Sequence, residues 1–162
     1  MIDKADVLNI QYACESIINQ NLPANSCLYS TALLYIYLLE NTDITPKFCI
    51  GSIKIADKFL FKMSKIDTLA FSENIIRDWG GHAWIEINDI IIDLDIFKTI
   101  KSLKTNNSFQ ESILSSFGKI PDYLIMQKKY SLQYKMTYIA MNELTENVAN
   151  ALISNIKSLN VL

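Results

Sequence analysis

The 162-residue sequence predicts one α+β domain built on an antiparallel sheet, with no internal boundary between residues 1 and 162. Three observations predict it. Two helical patterns come first, alternating strand patterns follow, and a short polar turn joins two of those strands as a hairpin. Hydrophobic residues make up 50% of the chain and charged ones 20%, which supplies a core and excludes a disordered chain.

Each element has its own signal. Residues 4–20 place Val7, Ile10, Cys14, Ile17 and Ile18 at i, i+3, i+4 spacing, the stripe of an amphipathic helix. The turn that follows, Asn21 to Ser26, ends in residues suited to cap another helix. Residues 27–40 (CLYSTALLYIYLLE) are apolar nearly all round, so this helix belongs in the middle of the fold. Asn41-Thr42-Asp43 stops it, and Thr45-Pro46 favours an extended entry into the β-branched run 47–55. Residues 56–80, with Phe59, Phe61 and Phe71, have no decisive period. From His82 the segment HAWIEI alternates, Asn88-Asp89 is a turn signal, and IIIDLD continues as a second strand. Residues 96–117 are mixed and partly helical, and residues 123–138 read as one long or two short strands. Leu144, Val148, Ala151, Leu152, Ile156 and Leu159 describe a closing amphipathic helix.

Composition excludes several classes of function. A net charge of −2 lacks the basic footprint of a nucleic-acid binder. The longest apolar stretch, residues 28–39, falls short of the roughly twenty residues a spanning helix needs. The start of the chain lacks the basic and apolar regions of a signal peptide. A cytoplasmic protein with no membrane partner is therefore expected. Three cysteines without CxxC spacing suggest neither a disulfide scaffold nor a zinc site, and a lone histidine excludes any site needing two. No glycine-rich phosphate loop is present. No metal and no cofactor are expected.

Two of the three cysteines read as core: Cys14 on the buried stripe of the first helix and Cys49 inside an apolar strand. Cys27 differs. It falls in the first turn of a helix, where free backbone N–H groups stabilise a thiolate and can donate to an oxyanion on an attacked carbonyl. Its plainer reading is a small apolar residue beginning a buried helix. His82 opens a strand behind Gly80-Gly81. With Asn88-Asp89 as a two-residue loop, His82 faces Asp95 and Trp84 faces Asp93, all four on one side of the hairpin. Asp93 is then diagonal to His82, and either carboxylate can hold the imidazole tautomer.

The order of these pieces, SCLYSTALLYIYLLENTDITPKFCIGSI, then GHAWIEI, then IID, resembles the transglutaminase-like branch of the papain-like cysteine enzymes. That branch includes bacterial cysteine peptidases and the leader peptidases of lasso-peptide maturation. The resemblance covers about residues 25–97. It implies a central cysteine-bearing helix packed on an antiparallel sheet, here with an extra C-terminal helix. It implies Cys27 as nucleophile, His82 as base and Asp93 as orienter; Asp95 fits a longer family pattern and stays an alternative. It also implies thiol-dependent hydrolysis or acyl transfer at an amide bond of a peptide or protein. Asn21 sits where papain-like enzymes often place an oxyanion glutamine, and its plainer reading is a turn former. Trp79, Trp84 and residues 56–80 are candidate cleft walls. The competing class is a catalytically inactive interaction module that keeps the fold.

Overall fold

A six-stranded antiparallel sheet lies between helices in the computed structural model, which describes residues 4–22, 26–65, 79–104 and 107–159. In chain order the elements are α1 (Lys4–Ile18), α2 (Cys27–Asn41), β1 (Lys47–Ile55), β2 (Lys58–Phe61), β3 (His82–Ile87) and β4 (Ile90–Asp93). They continue with α3 (Ile96–Ser102), α4 (Ser108–Phe117), β5 (Leu124–Gln127), β6 (Met136–Leu144) and α5 (Glu146–Leu159). A 3₁₀ turn at Lys128–Tyr130 separates β5 from β6.

Strand β1 is the centre. Ile50 pairs with Ala83 of β3 and Asn142 of β6, and Lys54 pairs with Phe59 of β2 and Thr137 of β6. One edge of β1 therefore carries β6, and the other carries β3 followed by β2. Strands β4 and β5 extend the sheet beyond β3. Both faces are covered. Phe48, Ile50, Ala83, Ile85 and Ile92 enter a core shared with α1, α2 and α5. Cys49, Ile53, Ile55, Trp84 and Ile91 enter a second core with α3 and α4. Burial on both sides is why the run Ile90-Ile91-Ile92 does not alternate. Leu34 and Leu38 of α2 are wholly buried, each contributing about 1.5–3 kcal/mol of hydrophobic stabilisation.

Gly51 in β1 is where the sheet is tightest. A Cβ there would lie 2.0 Å from the Ile139 carbonyl oxygen of β6 and 3.0 Å from the Trp84 ring. The β1–β6 register shifts at this point, between Ile50 and Gly51, and Gly51 is the residue paired with His82.

Several boundaries differ from the sequence reading. The indistinct segment after Ile55 begins with a hairpin whose two turn residues, Ala56 and Asp57, both have positive φ (47° and 64°). Phe71 lies outside the described residues. Strand β4 stops at Asp93, so Leu94 and Asp95 leave the ladder. Strand β6 runs on to Leu144, which ends a strand instead of joining the closing helix. In α5 the buried positions include Ala149 and Leu152, and Ala151 is exposed. No helix among the described residues is long and apolar enough to cross a membrane.

Candidate active site

The register of β3 and β4 is the one a two-residue loop dictates: Ile85 faces Ile92, Glu86 faces Ile91 and Ile87 faces Ile90. Extended by one pair, it puts Asp93 diagonal to His82 on the same face. Both side chains are 0% exposed, and His82 Nε2 lies 2.9 Å from each oxygen of the Asp93 carboxylate. A carboxylate only accepts, so Nε2 carries a proton, and Nδ1 is the nitrogen that gains or loses one as the ring titrates.

Asp93 is held from four directions. Its Oδ1 accepts from the amides of Asp95 and Ile96, both at 3.0 Å. Its Oδ2 accepts from the Tyr138 hydroxyl at 2.9 Å, and His82 spans both oxygens. The two amides belong to the start of α3, so Asp93 does the work of a helix cap while Asp95, at the cap position itself, makes no side-chain cap bond. That is why the strand ends where it does. Tyr138 approaches from β6, its ring edge-on to Trp84 at 5.1 Å. Burial first, then the charge of Asp93 and the bond to it, push the tyrosine hydroxyl well above its usual pKa.

Asp95 turns the other way, towards α2. Its Oδ1 lies 3.4 Å from the Ser26 hydroxyl, and its Oδ2 is in close contact with Ser30 Oγ. The Ser30 hydroxyl also lies 3.2 Å from the carbonyls of Ser26 and Cys27, but it has one proton and the carboxylate is the strongest acceptor. Burial raises the Asp95 carboxyl pKa, the Ser30 hydrogen bond opposes that, and the nearby Asp93 charge adds to it. The hairpin count that faced Asp95 with His82 fails because the ladder has already ended.

Cys27 is the first residue of α2 and is 6% exposed. Ser30 ties the first turn of this helix to Asp95, and Thr31 Oγ1 donates to the Ala83 carbonyl at 3.3 Å. These two contacts seat the helix start over the beginning of β3 and the end of β4 together. The Cys27 side chain consequently neighbours the imidazole. Burial works against a charged ring, but the Asp93 carboxylate and then Cys27, through charge and hydrogen bonding, raise the His82 pKa to about 10. Nδ1 is buried and makes no hydrogen bond of ordinary geometry among the described residues. Phe61 of β2 stacks on the ring, centroids 4.3 Å apart and planes inclined by 21°.

The helix start supplies donors. The amides of Tyr29 and Ser30 both reach the Ser26 carbonyl at 2.9 Å, and Ser26 makes no side-chain cap bond. The first amides of a helix lack intrahelical acceptors, so Cys27 N–H and Leu28 N–H are the candidate oxyanion donors. Cys14 and Cys49 are buried core residues, and burial first of all pushes both thiols up to about 12.

Three further candidates need correction or relocation. Trp84 is not a cleft wall: it is 0% exposed, packed in the second core, with Nε1 donating to Glu86 at 3.1 Å. Trp79 is half-buried and its ring lies over Gly81, where a Cβ would meet it at 2.3 Å. Asn21 has φ 51°, its amide donates to the Ile18 carbonyl, and it lines a cavity with Ser30 and Asp95. The described hydrogen bonds do not connect it to Cys27. Residues 66–78 lie outside the described residues. Sequence reasoning misses Tyr138, Ser30 and Thr31, and it reads Ser26 only as a helix cap and Phe61 only within the candidate cleft-wall segment 56–80. Only Ser30-Thr31 left a signal, as a polar pair in an otherwise apolar helix. Comparison of the chain with protein-family models, with curated proteins and with solved structures finds no match.

Proposed function

We propose that this chain is a thiol enzyme with a papain-like, transglutaminase-like core, acting on an amide bond of a peptide or protein through Cys27, His82 and Asp93. His82 Nδ1 holds the proton drawn from Cys27 Sγ, which leaves the ring charged against Asp93 and the sulfur free to attack the carbonyl carbon. The electron pair moves to the carbonyl oxygen, which the amides of Cys27 and Leu28 hold. As the tetrahedral intermediate collapses, the C–N bond breaks and the leaving amine takes the proton from His82. Water or an amine then attacks the thioester by the reverse sequence and frees Cys27. Asp93 keeps the proton on Nε2 and stabilises the imidazolium.

One observation carries this reading: a buried imidazole has a carboxylate fixed on Nε2 and an otherwise unbonded Nδ1, beside a cysteine at a helix start. The test is alkylation with iodoacetamide near neutral pH, read by peptide mass spectrometry. Fast modification confined to Cys27 and slowed in His82→Ala is the expected result. Cys14 and Cys49 stay unmodified, because both are buried and their thiols titrate at about 12. Slow labelling of Cys27 that is indifferent to His82 overturns the reading and favours an inactive interaction module.

A further inference from the structure

A cavity of about 380 Å³ opens beside the helix start that carries Cys27. Its volume is at the low end of the roughly 300–1,000 Å³ of small-molecule sites, room for one side chain rather than a long segment. Ser30 belongs to its lining and is three residues, about 4.5 Å along the helix axis, from Cys27. A group held there would lie beside a carbonyl attacked by that cysteine.

The lining is graded from bottom to rim. Ile17, Leu94, Ser30 and Asp95 are buried; Ile18, Leu22 and Lys98 are half-buried; Asn21, Lys101 and Asp122 are exposed. Four aliphatic side chains thus surround a carboxylate that is 4% exposed. Its hydrogen bonds come from the hydroxyls of Ser26 and Ser30, and no cation lies within ion-pair distance of it among the described residues. The charge of Asp93 opposes its ionisation while those of His82 and Lys98 favour it from a distance. With no cation in direct contact the buried carboxylate stays costly, and a cation entering the cavity would relieve that cost.

The other charges decide the sign. Lys101 and Asp122 pair with each other at 2.7 Å on the surface, and behind the cavity Asp93 and His82 act on Asp95 in opposite directions, which leaves Asp95 against Lys98 within the lining. Asp95 is at the buried end, where charge is poorly screened, and Lys98 is on the half-exposed wall, where solvent weakens its field. The bottom of the cavity is therefore negative with an aliphatic approach.

We infer that this cavity is a specificity pocket for a long cationic side chain, of lysine or arginine type, on the peptide residue beside the attacked carbonyl. The inference rests on the thiol reading above and names its substrate class. The stem lies along Ile17, Ile18, Leu22 and Leu94, and the cationic head reaches Asp95. Lys98 opposes it.

The test compares alkylation of Cys27 by acetyl-lysyl, acetyl-norleucyl and acetyl-glutamyl chloromethyl ketones, each rate normalised to iodoacetamide. In each case the sulfur displaces chloride. The lysyl reagent should react about tenfold faster than the norleucyl one, the size of one charge-assisted hydrogen bond. Asp95→Asn should collapse that preference, and Lys98→Met should widen it. Opposite signs at two lining residues are not what a loss of folding produces. Equal rates for the lysyl and norleucyl reagents, or a preference for the glutamyl one, overturn the pocket while iodoacetamide labelling still upholds the thiol. A second arm needs no reaction. In Cys27→Ala, acetyl-lysine methylamide should shift the NMR amide resonances of Leu94 and Asp95, and the norleucine analogue should not. Shifts without any alkylation of the wild type would retain the pocket and remove the enzyme; equal shifts from both compounds overturn the pocket.

Discussion

The two ends of the β3–β4 hairpin handle a carboxylate and its cation in opposite ways. At the loop end, Glu86 meets Lys128 at 2.5 Å, with the lysine side chain 44% exposed. At the other end, Asp93 meets His82 at 2.9 Å and both are sealed from solvent. The surface pair sits in screened surroundings and is worth at most about 1 kcal/mol. The buried pair must offset the loss of hydration of two charged groups, and well-packed apolar residues often do as well or better. Stability alone therefore does not explain a buried imidazole held by a carboxylate that itself takes two amides and a tyrosine hydroxyl. The difference between the ends separates a pair that decorates the surface from the one on which the proposed thiol chemistry rests.

The largest break in this comparison is Asp93→Asn. It leaves the buried ring without its charge partner, a change that costs about 3–5 kcal/mol where one member of a buried pair is removed. In a serine triad the same exchange costs about 10⁴ in rate, and a fall of that order is the upper expectation for any acyl transfer by Cys27. An NMR titration should find the His82 pKa lowered in Asp93→Asn. Asp95→Asn should move it little, since Asp95 bonds Ser26 and Ser30 rather than the ring. A larger shift in Asp95→Asn would reverse the assignment.

The same pair sets a pH dependence. His82 is raised in the folded protein from 6.5 to about 10, so its contribution to stability is full below about 6.5 and is lost as pH rises towards 10. Urea midpoints should fall across that window by more in the wild type than in Asp93→Asn. Equal falls would mean that the pair does not hold the proton.

Tyr138→Phe should act in the reverse direction and more weakly. It removes one donor from Asp93 Oδ2 and keeps the ring against Trp84. The loss is about 1–3 kcal/mol for a buried acceptor deprived of a partner. With fewer donors, Asp93 attracts the imidazolium more strongly, so the His82 pKa should rise. A fall would show that Tyr138 supports the ring by packing alone.

How much of this was legible depends on distance along the chain. The β3–β4 register follows from Asn88-Asp89 and two alternating segments, all local, so the diagonal of His82 and Asp93 was within reach of counting. The place of Asp95 was not. Its strand ends because Asp93 accepts from the amides of the next helix, a capping bond that alternation does not reveal. Tyr138 lies 45 residues beyond Asp93 on a strand that pairs with β1, and its neighbours in sequence carry no mark of that contact. The fold class was legible because two apolar helices preceding alternating strands leave few arrangements. The 3₁₀ turn at Lys128–Tyr130 and the continuation of β6 to Leu144 were hidden, since tyrosine and leucine suit strands and helices alike.

The smallest expected effect lies at the loop end. Glu86→Gln keeps an oxygen for Trp84 Nε1, now 3.1 Å from Glu86 Oε1, and removes only the charge that faces Lys128. Thermal unfolding should show a loss of at most about 1 kcal/mol, and the gap from wild type should shrink in 1 M salt, where the screening length falls to about 3 Å. The His82 titration should not move, because Glu86 points to the far end of the hairpin from the ring. A loss as large as that in Asp93→Asn, or one insensitive to salt, would mean that the Glu86 charge is held by the Trp84 indole as tightly as Asp93 is by its donors. The contrast between the two ends would then disappear, and with it the argument that only the buried end is arranged for chemistry.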